Sequence, residues 1–332
     1  MKQRTGGQMV VLKNWPRWVF SMLVVTLCLK VSAEPFQTQH FELALSDVTI
    51  VGTLEQPLTT QPVAIALLVA GSGPTDRDGN TPLIAGKNDS LKLLAQELAS
   101  HGIATLRFDK RGVGESRMAV MDESKLRFDT FVNDVVAILA ELERKGFQRR
   151  YLIGHSEGAL ISSLAAKQRQ VQAVVLLCGA GRPIDVILKE QLARSAPQLL
   201  PGAEKVIHEL KQGKLVANVP PILNSLFRPS VQPYMQSWLR HDPAVVAGAL
   251  GVSVFSISGS TDIQVSEADA QALALQKNIS SLRIENMNHV LKTVASIDPI
   301  VQQNAYTNPA LPLASELVPS LVAFIQSGKT HE

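Results

Sequence analysis

From residue 34 onward, apolar runs of strand length alternate with apolar stripes at helical spacing. Phe36 to Leu45 and Thr49 to Leu54 predict an opening antiparallel pair, with Phe41, Leu43 and Leu45 on one face. Val63 to Ala70 is continuously apolar, as expected of a central parallel strand buried on both faces. It stops at Gly71-Ser72-Gly73-Pro74, and a polar loop runs from Thr75 to Asn88. Leu91, Leu94, Ala95 and Leu98 then form the stripe of a helix that Asp89 or Ser90 is placed to cap and His101-Gly102 ends. Ile103 to Phe108 is the next strand. Phe131, Val135, Ile138, Leu139 and Leu142 mark a second amphipathic helix, closed by Lys145-Gly146. Ala173 to Cys178 is a further strand.

Between about residues 182 and 248 the alternation breaks, and prolines from Pro183 to Pro243 punctuate short helical pieces. This composition predicts either a helical cap inserted over the site or a separate small domain. Strand and helix signals resume at Val252 to Ser258, Glu267 to Gln276, Ser281 to Ile284 and Ala314 to Ile325. The pattern implies an α/β fold, a mostly parallel sheet with helices on both faces. The catalytic domain is then 34–181 with 249–332, and the helical cap insertion is 182–248.

Composition changes the picture only at the N-terminus. Lys2, Arg4, Lys13 and Arg17 precede the apolar run Trp18 to Leu29, and Val31-Ser32-Ala33 offers small residues for cleavage. Residues 1–33 therefore read as a signal peptide, implying a periplasmic or secreted protein with no stable membrane insertion after cleavage. The run falls short of the roughly 20 apolar residues of a membrane span. The formal charge of +3 belongs to this segment, because it holds five basic and no acidic residues. The remainder carries −2, which gives no support to nucleic-acid binding. Cys178 is the one cysteine beyond the segment, so the remainder has no intrachain disulfide, and its apolar setting predicts a buried thiol.

The chemistry centres on Gly154-His155-Ser156-Glu157-Gly158, with Tyr151-Leu152-Ile153 before it and a helical composition after it. Strand, tight turn and helix would set Ser156 on a strained elbow with its hydroxyl exposed at a helix N-terminus. A serine hydroxyl needs a histidine base and an acid to orient it, in the chain order Ser, acid, His for this arrangement. Asp262 follows the strand ending at Ser258, and His289 follows the strand ending at Ile284. Glu267 and Asp298 are the reserve acids. The other histidines precede the serine, sit in the elbow, or fall in the insertion or tail. The oxyanion donors are expected to be the N–H groups of Glu157 and Ser72, with Gly73 in reserve. Asp76-Arg77-Asp78-Gly79-Asn80 and Asp109-Lys110-Arg111 read as loop-fixing ion pairs. Gly112-Val113-Gly114 lacks the third glycine of a dinucleotide fingerprint, and no cofactor or metal cluster is predicted.

Four blocks carry a resemblance to the α/β-hydrolase superfamily: residues 71–80, residues 107–116, Gly154 to Gly158, and Gly259 to Asp262 with Asn288-His289. Within it the chain looks most like bacterial esterases related to dienelactone hydrolases and the prolyl-oligopeptidase-like branch, the first block being the one specific to that group and the others superfamily-wide. Ala70 stands where many relatives carry histidine. The resemblance implies an eight-stranded sheet, a cap, a cofactor-free Ser–Asp–His triad and hydrolysis of a small-molecule acyl ester. Thioesterase, acyltransferase and peptidase chemistry, and a binding protein that has lost catalysis, remain open on the same fold.

Overall fold

The computed structural model describes residues 35–58, 64–116 and 122–328. The chain divides into Met1–Ala33 and Glu34–Glu332, and every described residue belongs to the second unit. The predicted signal peptide lies outside the described residues.

In chain order the elements are β1 (Phe36–Ala44), β2 (Thr49–Pro57), β3 (Ile65–Val69), α1 (Ser90–Ser100), β4 (Ala104–Phe108) and α2 (Phe128–Arg144). Then come β5 (Arg150–His155), α3 (Glu157–Ala166) and β6 (Ala173–Leu177). The helical stretch holds α4 (Ile184–Ser195), α5 (Leu200–Lys211), α6 (Asn224–Phe227), α7 (Gln232–Trp238) and α8 (Pro243–Gly248). The chain finishes with β7 (Ser253–Gly259), α9 (Glu267–Ala274), β8 (Ile279–Ile284), α10 (Pro299–Thr307) and α11 (Leu317–Ser327).

The eight strands form one sheet in the order β1-β2-β4-β3-β5-β6-β7-β8. β2 pairs antiparallel with β1 and β4, and every other pairing is parallel. The unbroken apolar run of β3 has a direct cause. Ile65, Leu67 and Val69 enter the core beneath α2 and α3, while Ala66 and Leu68 enter the core beneath α1 and α11. Both faces of the central strands are thus covered, which is why they do not alternate with polar residues. The loops after β3, β5, β7 and β8 all leave the carboxyl edge of the sheet, where open α/β sheets place their ligands.

Two local expectations differ from the structure. Asp89 precedes α1 in the left-handed region (φ 51°) and makes no side-chain cap bond. Asn88 Oδ1 accepts from Ser90 N–H at 2.9 Å in its place, and Asp89 accepts from Asn80 Nδ2 at 2.6 Å. Helix α10 was not predicted, because its sequence has no clear apolar stripe. Its start signal is nevertheless present: Asp298 accepts from Ile300 N–H at 2.8 Å, and Pro299 occupies the first helical position.

Residues 184–239 build an apolar cluster of their own around Ile187, Ala203, Ile207 and the fully buried Phe227. Trp238 stacks on Phe128 at the start of α2 (5.4 Å between rings), and Ser237 Oγ accepts from Phe128 N–H at 2.7 Å. Among the described residues no helix is long and apolar enough to cross a membrane.

Candidate active site

Ser156 sits between β5 and α3 with φ 55° and ψ −119°, a conformation that costs a non-glycine residue about 1–3 kcal/mol. The flanking glycines are dictated by approach distance. A Cβ on Gly154 would lie 2.2 Å from Gly158 O, and one on Gly158 would lie 2.2 Å from Val69 O. The strained turn is held by Ser156 N–H donating to Leu177 O at 2.9 Å. The loop after β3 closes over it, since a Cβ on Gly71 would lie 3.2 Å from Ser156 Cβ. Glu157 N–H opens α3 and so has no carbonyl one turn earlier to bond. Ser72 is exposed, and its carbonyl accepts from Thr75 Oγ1 at 2.8 Å.

The structure brings Asp262 and His289 together. His289 Nδ1 donates to Asp262 Oδ2 at 2.8 Å, and both side chains are buried. Asp262 Oδ1 accepts from Gln264 N–H (2.8 Å) and Val265 N–H (3.0 Å). Burial pushes this carboxyl up, but His289 and the two backbone donors outweigh it and hold the acid below its ordinary value. Being ionised, it can only accept, so the proton of this bond resides on His289 Nδ1. The reserve acids are engaged elsewhere: Glu267 pairs with Arg283 at 3.0 Å and Asp298 caps α10.

Sequence reasoning passed over several supporting residues. His155 Nε2 donates to His289 O at 2.8 Å, and the two rings lie 4.8 Å apart. Gln302 of α10 joins the two loops, donating to Thr261 O at 3.0 Å and accepting from Asn288 Nδ2 at 2.9 Å. Cys178 is buried as predicted, at φ 46°, with Sγ, an Asp262 oxygen and a His289 ring nitrogen all within 4.8 Å of one another. Sulfur, oxygen and nitrogen donors of this kind can hold zinc. Here Asp262 and His289 are already hydrogen-bonded to each other, and burial together with the Asp262 charge pushes the thiol well up, against the thiolate that a metal needs.

The polar loop behaves largely as the sequence suggests. Asp76 Oδ1 accepts from Asp78 and Asn80 N–H groups, Arg77 pairs with Asp109 and Glu115, and Arg107 bridges Asp78 and Glu55. Arg111 pairs with Asp134 and Asp47. Lys110 departs from that pattern. It turns inward to Gly71 O and to the Glu157 carboxylate. An open cavity of about 540 Å³ is lined by this loop, including Pro74, Asp76, Pro82, Ile84 and Lys87, and by Val113. None of its lining residues comes from the helical stretch 182–248.

His155 gives a measurable consequence. Burial, then the neighbouring His289, holds its imidazole at a pKa of about 3 against 6.5 in an unfolded chain. Below pH 6.5 the unfolded chain takes up a proton that the native state refuses. Stability contributed above that pH is therefore lost progressively as pH falls towards 3, by up to about 1.4 kcal/mol per unit. His155→Gln keeps an Nε2 donor for His289 O and removes the titration. Urea unfolding at pH 7 and pH 4.5 should show a smaller stability difference in this variant than in the wild type. Equal differences would remove His155 as a source of acid sensitivity.

The parallel sheet, the serine elbow at its carboxyl edge and the Asp–His pair beside it define an α/β-hydrolase fold. The chain belongs to the Hydrolase_4 family, serine aminopeptidase, S33, whose model matches residues 86–276. It is similar to the esterase EstD of Thermotoga maritima, with 29% identity over 247 residues, covering 72% of this chain and 57% of EstD. The chain thus spans little more than half the length of that relative. Among solved structures, Est1E from Butyrivibrio proteoclasticus, bound to ferulic acid, has a TM-score of 0.56 at 14% identity, covering 86% of this chain and 99% of Est1E. A proline iminopeptidase from Mycobacterium smegmatis has a TM-score of 0.56 at 11% identity, covering 87% of this chain and 98% of that protein. At such identities these two likenesses concern the fold.

Proposed function

We propose that the chain is a serine hydrolase that cleaves small carboxylic esters through an acyl-enzyme on Ser156. His289 Nε2 takes the hydroxyl proton as Ser156 attacks the acyl carbon, then returns it to the leaving alcohol. Asp262 keeps the other ring proton on Nδ1 and stabilises the imidazolium as it forms. The N–H groups of Ser72 and Glu157 receive the oxyanion. The observation that carries this reading is the buried 2.8 Å bond from His289 to Asp262 beside a strained serine elbow. The esterase name of EstD supports the ester as substrate class. The helical segment 182–248 is proposed as the cap. The likeness of residues 71–80 to the dienelactone-hydrolase and prolyl-oligopeptidase-like branch, and export to the periplasm or medium, rest on the sequence.

A second reading is favoured by the family's description, serine aminopeptidase. A panel of p-nitrophenyl esters from acetate to palmitate, acyl thioesters and aminoacyl p-nitroanilides separates the two. Ester turnover far above anilide turnover, with a fluorophosphonate adduct on Ser156, is expected. Dominant anilide cleavage would replace the esterase with a peptidase. An unlabelled Ser156 with no turnover would leave a binding protein.

A further inference from the structure

We propose that Lys110 is a positioning residue for the oxyanion hole, held in place by the Glu157 side chain and tied through Tyr234 to the helical segment. The inference rests on the hydrolase reading above.

Lys110 follows β4 and is almost completely buried. Its Nζ donates to Gly71 O at 2.5 Å and to Glu157 Oε1 at 3.1 Å, and lies 5.6 Å from the centre of the Phe131 ring. Both members of the Lys110–Glu157 pair expose only 4% of their side chains. Taking two charges out of water costs several kcal/mol each, so such a pair is weak support for stability and invites another account.

Geometry supplies that account. Gly71 O belongs to the same planar trans peptide as Ser72 N–H, and the two groups point in opposite directions. Anchoring the carbonyl on a buried ammonium therefore fixes where Ser72 N–H points. It also draws electron density towards Gly71 O, which makes the N–H a better donor. The next carbonyl, Ser72 O, is held by Thr75 Oγ1, so the peptide carrying the donor is fixed on both sides. The other donor is the backbone N–H of Glu157, the residue whose carboxylate holds Lys110. One ion pair thus spans the two strands of chain that contribute the hole, the loop after β3 and the start of α3.

The remaining Glu157 oxygen, Oε2, accepts from Tyr234 OH of α7 at 2.7 Å. Burial and the Glu157 charge push this phenol far above its ordinary value, so it stays a donor. Tyr234 packs on Phe128 and Phe131 of α2, with ring centres 5.9 and 5.7 Å away. The segment between β6 and β7 therefore reaches the hole through one phenol and one carboxylate.

The test uses the full chain, short p-nitrophenyl esters, the matching thionoesters and a trifluoromethyl ketone analogue. Sulfur accepts poorly from a hole shaped for oxygen, so thionoester rates draw little from it. Lys110→Met should lower kcat on the ester about 10- to 100-fold, less than or comparable to removal of one donor, with KM changed less than about threefold. The ester-to-thionoester rate ratio and the affinity for the trifluoromethyl ketone should fall in parallel. Because Lys110→Met leaves Glu157 unpaired, the double variant Lys110→Met with Glu157→Gln provides the same readout without a lone buried charge. Tyr234→Phe, which removes only the hydroxyl and keeps the ring, should give a smaller loss, about two- to fivefold, in the same ratio. Unchanged kcat in the double variant, or a loss shared equally by ester and thionoester, would overturn the proposal. A loss confined to Tm would do the same. A wild-type chain with neither ester turnover nor a phosphonate adduct would remove the hydrolase reading, and this inference with it.

Discussion

Ser156→Ala is expected to lower ester turnover by roughly ten-thousand- to a million-fold, because it deletes the attacking atom and leaves only binding and the oxyanion donors. The residual rate should still exceed the uncatalysed one, by an amount that the donors alone supply. The fold should survive the change, since Ser156 contributes its backbone N–H to Leu177 O and its carbonyl to Ala159 N–H, and alanine keeps both. Alanine also keeps the strain, as φ 55° is no easier for it than for serine. Ser156→Gly relieves that strain and should be the more stable of the two variants by about 1 kcal/mol, the unfolded-chain entropy of glycine offsetting part of the gain. The measurements are steady-state turnover, fluorophosphonate labelling and urea unfolding of both variants. Near-normal turnover by folded Ser156→Ala protein would sink the mechanism.

The parts of this site that were legible in the sequence are those in which a short segment carries its own signal. Gly154 to Gly158 combines two glycines with a strand before and a helix after, and a Cβ at either glycine would collide with backbone. Val63 to Ala70 announces a central strand because both of its faces are covered. Asp262 and His289 stand out by chain order and by position after a strand, features that do not depend on the contact between them. What escaped is long-range pairing. Lys110 sits in a run of charges that resembles its neighbours Asp109 and Arg111. Nothing local distinguishes the one that points inward at Gly71 O. His155 lies inside the elbow, where chain order gives it no catalytic part, yet that position is what lets its ring support the His289 backbone. Gln302 was hidden with its helix: α10 has little apolar periodicity, and only the Asp298-Pro299 start signal betrays it. The polar residues that brace the site have partners 14 to 134 positions away in sequence, and such distances leave no periodicity to read.

Asp262→Asn is expected to cost about a thousand- to ten-thousand-fold in kcat, although the side chain changes by one atom. The size of the loss follows from how the carboxylate is held. Gln264 and Val265 N–H groups both donate to Oδ1, so an asparagine there must keep its carbonyl oxygen on that side. Its NH2 then faces His289 Nδ1, where the wild type presents Oδ2. A donor opposite Nδ1 makes that nitrogen the acceptor and moves the ring proton to Nε2. The base that should accept from Ser156 is then already protonated, and no carboxylate remains to stabilise the imidazolium. Turning the amide over restores the tautomer only by aiming NH2 at two backbone donors inside a buried site, which leaves those donors unsatisfied at about 1–3 kcal/mol each. His289→Ala, which removes the base itself, should be at least as damaging. The check is kcat and KM for both variants on one short ester, with KM expected to stay near the wild-type value because neither side chain is proposed to grip the substrate. Turnover by Asp262→Asn within tenfold of the wild type would mean that the acid is supplied elsewhere. Glu267 and Asp298 are poorly placed for that, being engaged with Arg283 and with the N-terminus of α10.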